Sequence, residues 1–314
     1  MHYQNKHVLL IGGGGSLGLY AAQELVGKGC FVDVLCREDH ASSDPRLRFF
    51  NADATLEHLQ GFMADKHYDG IINFLHYVDM ENYKNVHQFL SANTSHLIFL
   101  SSYRVYADLQ HPITEEAPRL LDVTQDKEFL EKETYALAKA RAEDYIRNES
   151  GTTNWTIVRP VISTSRRRFD LVTVSGSRLI RWTKEGKVIP LPDKAKDLIA
   201  AVDWAGNTGR IIANLLFKPE AFGEAFTISS CQNLTWGEVA QYYEELIGAK
   251  FQWIDTEEYI RSQQEPGNVW SLIYDRLYDR PIDNSKVLRV TGMKKEDFTP
   301  MKEGIKIELA KLEG

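Results

Sequence analysis

The stretch His7-Val8-Leu9-Leu10-Ile11-Gly12-Gly13-Gly14-Gly15-Ser16-Leu17-Gly18 constrains the fold more than any other part of the chain. Val8 to Ile11 is a short apolar run stopped by glycine, which has the length of a buried strand rather than of a helix. After the glycines, Leu17, Ala21, Ala22 and Leu25 recur at helical spacing until Gly27 and Gly29 end the pattern. Four consecutive glycines are costly to order. They suit a tight strand-to-helix turn with no Cβ to block a ligand, at a helix N-terminus whose unpaired N–H groups and positive partial charge attract an anion. The unit reads as a phosphate cradle. Two spacings fit it: Gly13, Gly15 and Gly18 give G-x-G-x-x-G, and Gly12, Gly15 and Gly18 give G-x-x-G-x-x-G.

The pattern that begins here continues. Phe31–Leu35, Tyr68–Leu75, Leu97–Ser101 and Trp155–Val158 read as further buried strands with helical stretches between them. Strands alternating with helices over about 160 residues require right-handed crossovers and a mainly parallel sheet. The fold class expected is therefore α/β, a doubly wound parallel sheet of the Rossmann kind. Beyond it the periodicity is mixed. Leu179–Glu185, Ala205–Leu216 and Thr235–Ile247 look helical, and Lys187–Ile189 and Ala225–Ile228 look like short strands. The expected division is a dinucleotide-binding domain at 1–163 and a smaller substrate lobe at 164–314, with a segment near 195–217 returning to the first domain. The cleft between them is the expected substrate site.

Composition removes several function classes. The net charge of −7 argues against general nucleic-acid binding, which needs a basic surface. No run approaches the roughly 20 apolar residues of a membrane span. The first strand begins by His7, which leaves no room for a signal peptide ahead of it, so cytoplasm is the expected compartment. Cys30, Cys36 and Cys231 are odd in number and lack C-x-x-C spacing, which suggests neither a disulfide framework nor a zinc site. All nine histidines lie at or before His111 and form no H-E-x-x-H or similar set, so they read as structural or surface residues, and no metal is expected.

The chemistry points to Tyr135-Ala136-Leu137-Ala138-Lys139, within a run from Glu131 to Arg147 that lacks glycine and proline. At i and i+4 the phenol and the ammonium share one helix face. A free tyrosine titrates near pH ~10, and a nearby cation favours its phenolate, which makes the pair a plausible acid/base device. Ser101-Ser102 ends a buried strand at the sheet edge where doubly wound folds place ligands, so a hydroxyl there can hold a substrate oxygen against the tyrosine.

These residues resemble the extended short-chain dehydrogenase/reductases, the NAD-dependent epimerase/dehydratase family. The resemblance covers nearly the whole chain. It rests on Gly12-x-x-Gly15-x-x-Gly18, on Asn51-Ala52-Asp53, on Ser102 four residues before Tyr106, on Tyr135-x-x-x-Lys139, and on Val158-Arg159-Pro160. Later matches are the segment from Ala201 to Ile212, the strand Ala225–Ser230 and Asp283–Val287. The resemblance implies Tyr135 as acid/base, Lys139 as the group that lowers its pKa and binds the nicotinamide ribose, and Ser102 as the substrate-orienting hydroxyl. It implies a dinucleotide held by Gly12, Gly15, Ser16, Leu17, Gly18, Arg37, Asp53, Ala54, Leu75, Tyr135, Lys139 and Pro160, with Asp53 on the adenine amino group.

Departures from the family pattern sharpen the reading. Members that eliminate water from hexose C5–C6 carry Asp-Glu directly after the equivalent of Ser102. Tyr103-Arg104 stand there instead, which disfavours a 4,6-dehydratase. The expected activity is an NAD(P)-dependent oxidoreductase or epimerase transferring hydride at a carbinol or ketone carbon of a sugar, nucleotide-linked as in much of the family. A non-catalytic dinucleotide sensor or scaffold is the alternative, which the intact Ser102, Tyr135 and Lys139 argue against. Arg166, Arg168, Arg178 and Arg181 are candidates for a substrate diphosphate, because guanidinium forks match phosphate oxygens. NAD-preferring members carry an acidic residue at the position of Cys36. Here Arg37 follows it, so NADP is expected ahead of NAD. Expected partners are a small-molecule substrate, with neither nucleic acid nor membrane, and a homodimer is allowed.

Overall fold

The computed structural model describes residues 2–263 and 266–313. In chain order the strands are β1 (His7–Ile11), β2 (Phe31–Cys36), β3 (Leu47–Asn51), β4 (Tyr68–Asn73), β5 (Thr94–Leu100), β6 (Trp155–Pro160), β7 (Ile162–Thr164), β8 (Val188–Pro192), β9 (Val202–Trp204), β10 (Glu224–Ile228) and β11 (Lys250–Ile254). Seven form one parallel sheet in the order β10-β6-β5-β4-β1-β2-β3. The strand order reverses at β1, and the loops leaving β1 and β4 flank the crevice where doubly wound sheets bind ligands.

The period-2 alternation of the strands divides the core. Val8, Leu10, Val32 and Val34 face one layer, which is closed by Ala21, Leu25, Ile211 and Ile212 from the helices Ser16–Gly27 and Ala205–Leu215. Leu9, Ile11 and Leu35 face the other, closed by Leu59, Tyr83 and Ile146 from the helices Leu56–Met63, Met80–Ala92 and Ala136–Asn148. Because both faces are covered, the strands read as continuous apolar runs, and each fully buried aliphatic side chain contributes about 2 kcal/mol.

A third core around Leu179, Ile189, Leu191, Trp236 and Tyr243 belongs to the C-terminal part, where β8 pairs with β11. The chain then differs from the sequence reading in three places. β10, expected among the short strands of the lobe, is the edge strand of the main sheet beside β6. β3, the opposite edge, escapes the pattern because Leu47-Arg48-Phe49-Phe50-Asn51 is only partly buried. The helical run expected from Glu131 to Arg147 is broken: one helix spans Lys127–Lys132, the next begins at Ala136, and Tyr135 stands at its N-cap with φ −110° and ψ −68°. The Glu133 carboxylate causes the break, since it accepts from the backbone N–H groups of Tyr135 (3.0 Å) and Leu137 (2.9 Å) and so caps the second helix.

Candidate functional site

The glycine loop has the form of a cradle. Gly12 alone among its four glycines lies in the left-handed region, at φ +72°, and a Cβ there would sit 2.6 Å from Leu75 Cδ2. At Gly18 a Cβ would sit 2.3 Å from the Gly13 carbonyl oxygen, so the helix can approach the loop only without a side chain. A Cβ on Gly15 meets nothing within 4 Å. Gly15 is also the N-cap of the helix Ser16–Gly27, and no side chain caps that terminus. The positive helix end therefore faces open space, which fits a diphosphate. Of the two glycine spacings, Gly12, Gly15 and Gly18 are the three with these roles.

Beside the loop lies a cavity of about 380 Å³ whose lining includes Gly12, Cys36, Arg37, Glu38, Asp53, Ala54, Leu75 and His76. Five cofactor candidates from the sequence thus converge on one space, and Pro160 stands buried at the end of β6. Arg37 is mostly exposed, with its Nε 3.9 Å from an Asp53 carboxylate oxygen. Glu38, the residue after Arg37, reaches the glycine loop: a Cβ on Gly14 would lie 2.5 Å from Glu38 Oε2. Its other oxygen pairs with Arg167 at 3.1 Å. His40 Nε2 lies 3.1 Å from the Gly14 carbonyl, and Cys36, Glu38 and His40 bring one potential ligand atom each within 4.8 Å of one another.

The catalytic candidates meet at the neighbouring ends of β4 and β5. Lys139 is buried, and its ammonium donates to the carbonyls of Leu75 (2.9 Å) and Leu100 (2.5 Å). The first carbonyl belongs to a residue of the dinucleotide cavity; the second lies two residues before Ser102. Burial pulls the Lys139 pKa down to about 7, with Glu143 one turn further along opposing the shift. Tyr135 precedes Lys139 by one turn, joined by the Lys139 N–H to Tyr135 carbonyl bond of 3.0 Å. Ser102 is buried, and its Oγ accepts from the Arg104 N–H at 3.2 Å. Two neighbours of Tyr135 had no signal in the sequence. The His76 ring centroid is 5.1 Å from that of Tyr135, and the Arg104 guanidinium carbon lies 5.1 Å from the Tyr135 ring centre. Burial, with the charge of Lys139, lowers the His76 pKa.

Behind this edge, Glu143 is fully buried and accepts from Ser101 Oγ (2.5 Å) and from Arg159 Nε (2.9 Å) and Nη2 (2.6 Å). Burial pushes the Glu143 carboxyl up, but Arg159 wins and holds it below the ordinary range. Arg159 continues to the Tyr106 hydroxyl at 2.9 Å. The Ser-x-x-x-Tyr and Val-Arg-Pro motifs are thus tied together by one ionic network under the helix Ala136–Asn148.

The four candidate substrate arginines do not converge. Arg166 and Arg181 line a separate cavity of about 640 Å³ with Arg167 and Lys184. Arg168 pairs with Asp170 at 2.9 Å, and Arg178 lies over the Trp182 ring.

Comparison with known proteins fits this geometry. The NAD(P)H-binding family matches residues 12–201, which is more than half of the chain. The chain belongs to this family. No curated protein sequence matches it. Among solved structures it is similar to the Bordetella bronchiseptica enzyme WbmH in complex with NAD+, at 17% identity over 98% of each chain and a TM-score of 0.70. It is similar to the UDP-N-acetylglucosamine 4-epimerase from Bacillus cereus, at 16% identity over 99% of this chain and 97% of that one, TM-score 0.70. A third is MoeE5 in complex with UDP-glucuronic acid and NAD, at 16% identity over 98% and 99%, TM-score 0.70. The fold of this NAD(P)H-binding protein is that of the extended short-chain dehydrogenase/reductases. No helix among the described residues is long and apolar enough to cross a membrane.

Proposed function

We propose that the protein is an NAD(P)-dependent epimerase or oxidoreductase acting at a carbinol or ketone carbon of a nucleotide-linked sugar. One observation carries this reading: the Lys139 ammonium is bound at once to the Leu75 carbonyl of the dinucleotide cavity and to the Leu100 carbonyl of the strand that ends at Ser102. Cofactor space, Ser102 and the Tyr135 helix are thereby referred to one buried group. The similar folds that hold NAD with UDP-sugars support the substrate class.

A nicotinamide dinucleotide, when bound, supplies the hydride chemistry. Gly15, Ser16, Leu17 and Gly18 would receive its diphosphate, Asp53 and Ala54 the adenine, and Leu75 and Pro160 would flank the nicotinamide. The chain's own task is the proton. Tyr135 takes the hydroxyl proton of a carbinol, or returns it to a ketone, while Ser102 donates to the same oxygen and holds it in place. Lys139, one turn along the helix from Tyr135, places an amine between the Leu75 and Leu100 carbonyls, where it would hold the nicotinamide ribose. Residues from 164 onward form the substrate lobe in this reading, apart from β9, β10, the helix between them, and Val287, Val290, Met293 and Phe298, which pack into the core of the main sheet.

For the dinucleotide we propose NADP ahead of NAD. Arg37 is exposed on the rim of the cavity, and its fork suits a 2′-phosphate. Glu38 opposes this, but its carboxylate is already paired with Arg167. The test is a panel of nucleotide sugars incubated with NADPH, NADH or the oxidised forms, followed by reduced-nicotinamide absorbance and by product analysis. A net absorbance change marks a reductase or dehydrogenase, and a changed sugar without one marks an epimerase. No conversion of any sugar would overturn the assignment in favour of a dinucleotide sensor.

A further inference from the structure

Next to Tyr135 lies an ion cluster that the proton chemistry above does not use. Arg104, Arg276 and Arg280 surround the single carboxylate of Asp275, with Arg104 Nε at 3.4 Å, Arg280 Nη2 at 3.6 Å and Arg276 in direct contact. Tyr103 also donates to Asp275, at 2.8 Å, and accepts from Arg276 at 2.8 Å. Asp275, Arg276 and Arg280 are all nearly fully buried, and the Arg104 side chain is 19% exposed. One carboxylate has too few lone pairs for three guanidinium forks. Donors outnumber acceptors: Arg104 Nε and both Nε and Nη2 of Arg280 are buried and donate no hydrogen bond, against one unbonded acceptor, Asp275 Oδ1. The second carboxylate, Glu133, caps the helix that begins at Ala136 through Oε2, and its Oε1 lies 3.9 Å from Arg104. At longer range Arg168 acts on Arg276 and Asp108 on Arg280, with opposite signs. Within 4 Å, three cations face two carboxylates, a local surplus of one positive charge.

A buried, unpaired charge costs several kcal/mol and contributes nothing to stability. Its place decides what it is for, since Arg104 sits over the Tyr135 ring and its backbone N–H donates to Ser102. We propose that Arg104, backed by Arg276 and Arg280, recognises a carboxylate carried by the substrate close to the reacting carbon, so that the sugar is a nucleotide-linked uronate. A single negative charge balances the surplus, and a planar carboxylate matches a guanidinium fork by two hydrogen bonds. Arg104 is the contacting member because it alone is partly open. Arg276 and Arg280, held by the Val172 carbonyl (2.9 Å) and the Tyr106 carbonyl (3.0 Å), are positioning residues that keep Asp275 from neutralising Arg104.

The inference rests on Tyr135 as the reacting group, and its test separates the two. Tyr135→Phe protein loaded with dinucleotide is titrated by calorimetry with UDP-glucuronic acid and with UDP-glucose. The uronate is expected to bind at least tenfold more tightly. Adding Arg104→Met should bring the two affinities within threefold of one another, and Arg104→Lys, which keeps the charge but not the fork, should retain part of the preference. Melting temperatures identify any variant that fails to fold. Equal affinity of the unaltered Arg104 protein for both sugars overturns the uronate inference and leaves the nucleotide-sugar reading standing. Binding of neither overturns both.

Discussion

Replacing Lys139 by Met tests whether a buried charge sits where the structure puts it. In the folded protein the amine's pKa is about 7, against about 10.4 for an exposed lysine. At roughly 1.4 kcal/mol per pH unit, holding this ammonium in the folded state costs about 5 kcal/mol when it is charged in both states. The sign follows from proton counts. Between pH 7 and 10 the unfolded chain binds more protons at this position than the folded one, so stability rises with pH across that window and is lowest below it. From pH 6 to pH 9 the gain from this one group is about 3 kcal/mol. The two carbonyls that accept from the ammonium favour its charged form, which makes that figure an upper one. Met has a similar stem but no charge and no donor. It removes the gain, and leaves the Leu75 and Leu100 carbonyls unpaired at a cost of about 1–3 kcal/mol each that does not depend on pH. Other titrating groups, such as Asp203, whose burial raises its carboxyl to about 6, are common to both proteins and cancel in the comparison. The assay is thermal unfolding of dinucleotide-free wild type and Lys139→Met at pH 6 and pH 9. At roughly 2 °C per kcal/mol, the wild type should gain about 5 °C more than the variant between the two pH values. Melting temperatures that move in parallel would refute the burial of a titrating amine here.

Tyr135→Phe should remove nearly all turnover while dinucleotide affinity, read by quenching of protein fluorescence, changes less than threefold; turnover like that of the wild type would end the assignment. Glu143→Gln leaves the buried Arg159 without its counter-charge and should cost about 3–5 kcal/mol in denaturant unfolding, whereas a loss below about 1 kcal/mol would show that the network is solvated. Arg37→Ala should erase most of a preference for NADPH over NADH, and that preference should shrink as salt rises. Tighter binding of NADH than NADPH to the wild type at low salt would assign the cavity to NAD and make Glu38 the ribose-reading carboxylate.

Much of the dinucleotide half is legible in the sequence because its determinants are local. The alternation of Val8, Leu9, Leu10 and Ile11 between two covered faces produces a continuous apolar run, and Gly18 clears Gly13 within the same loop, whereas the neighbour Gly12 clears, Leu75, follows β4 and is not local. The break before Ala136 is not legible in that way. Glu133, Thr134 and Tyr135 carry no glycine or proline, and only the Glu133 carboxylate turning onto two backbone N–H groups ends one helix and begins the next. β10 is misplaced for a related reason. Ala225–Ile228 has the pattern of any short buried strand, and nothing within it says that its partner is β6, some 70 residues earlier.

The candidate site divides along the same line. Ser102, Tyr135 and Lys139 announce themselves by spacing, but what surrounds them is assembled from distant chain. Asp275, Arg276 and Arg280 come from a segment about 170 residues beyond Tyr103, and reach it because Ile113 and Pro281, and Arg280 and Ile199, are joined by backbone hydrogen bonds. Arg166, Arg168, Arg178 and Arg181, the candidates for a substrate diphosphate, are scattered in the fold: Arg168 pairs with Asp170, Arg178 lies over Trp182, and Arg166 and Arg181 line another cavity. Charge density along the chain marks a solvated loop as readily as a binding site. Charge surplus in a buried place is the more selective signal, because a fold keeps guanidiniums that outnumber their carboxylates out of water only against a cost. By that criterion the proposed uronate specificity would reside in the wall formed by Arg104, Arg276 and Arg280, beside the ring of Tyr135.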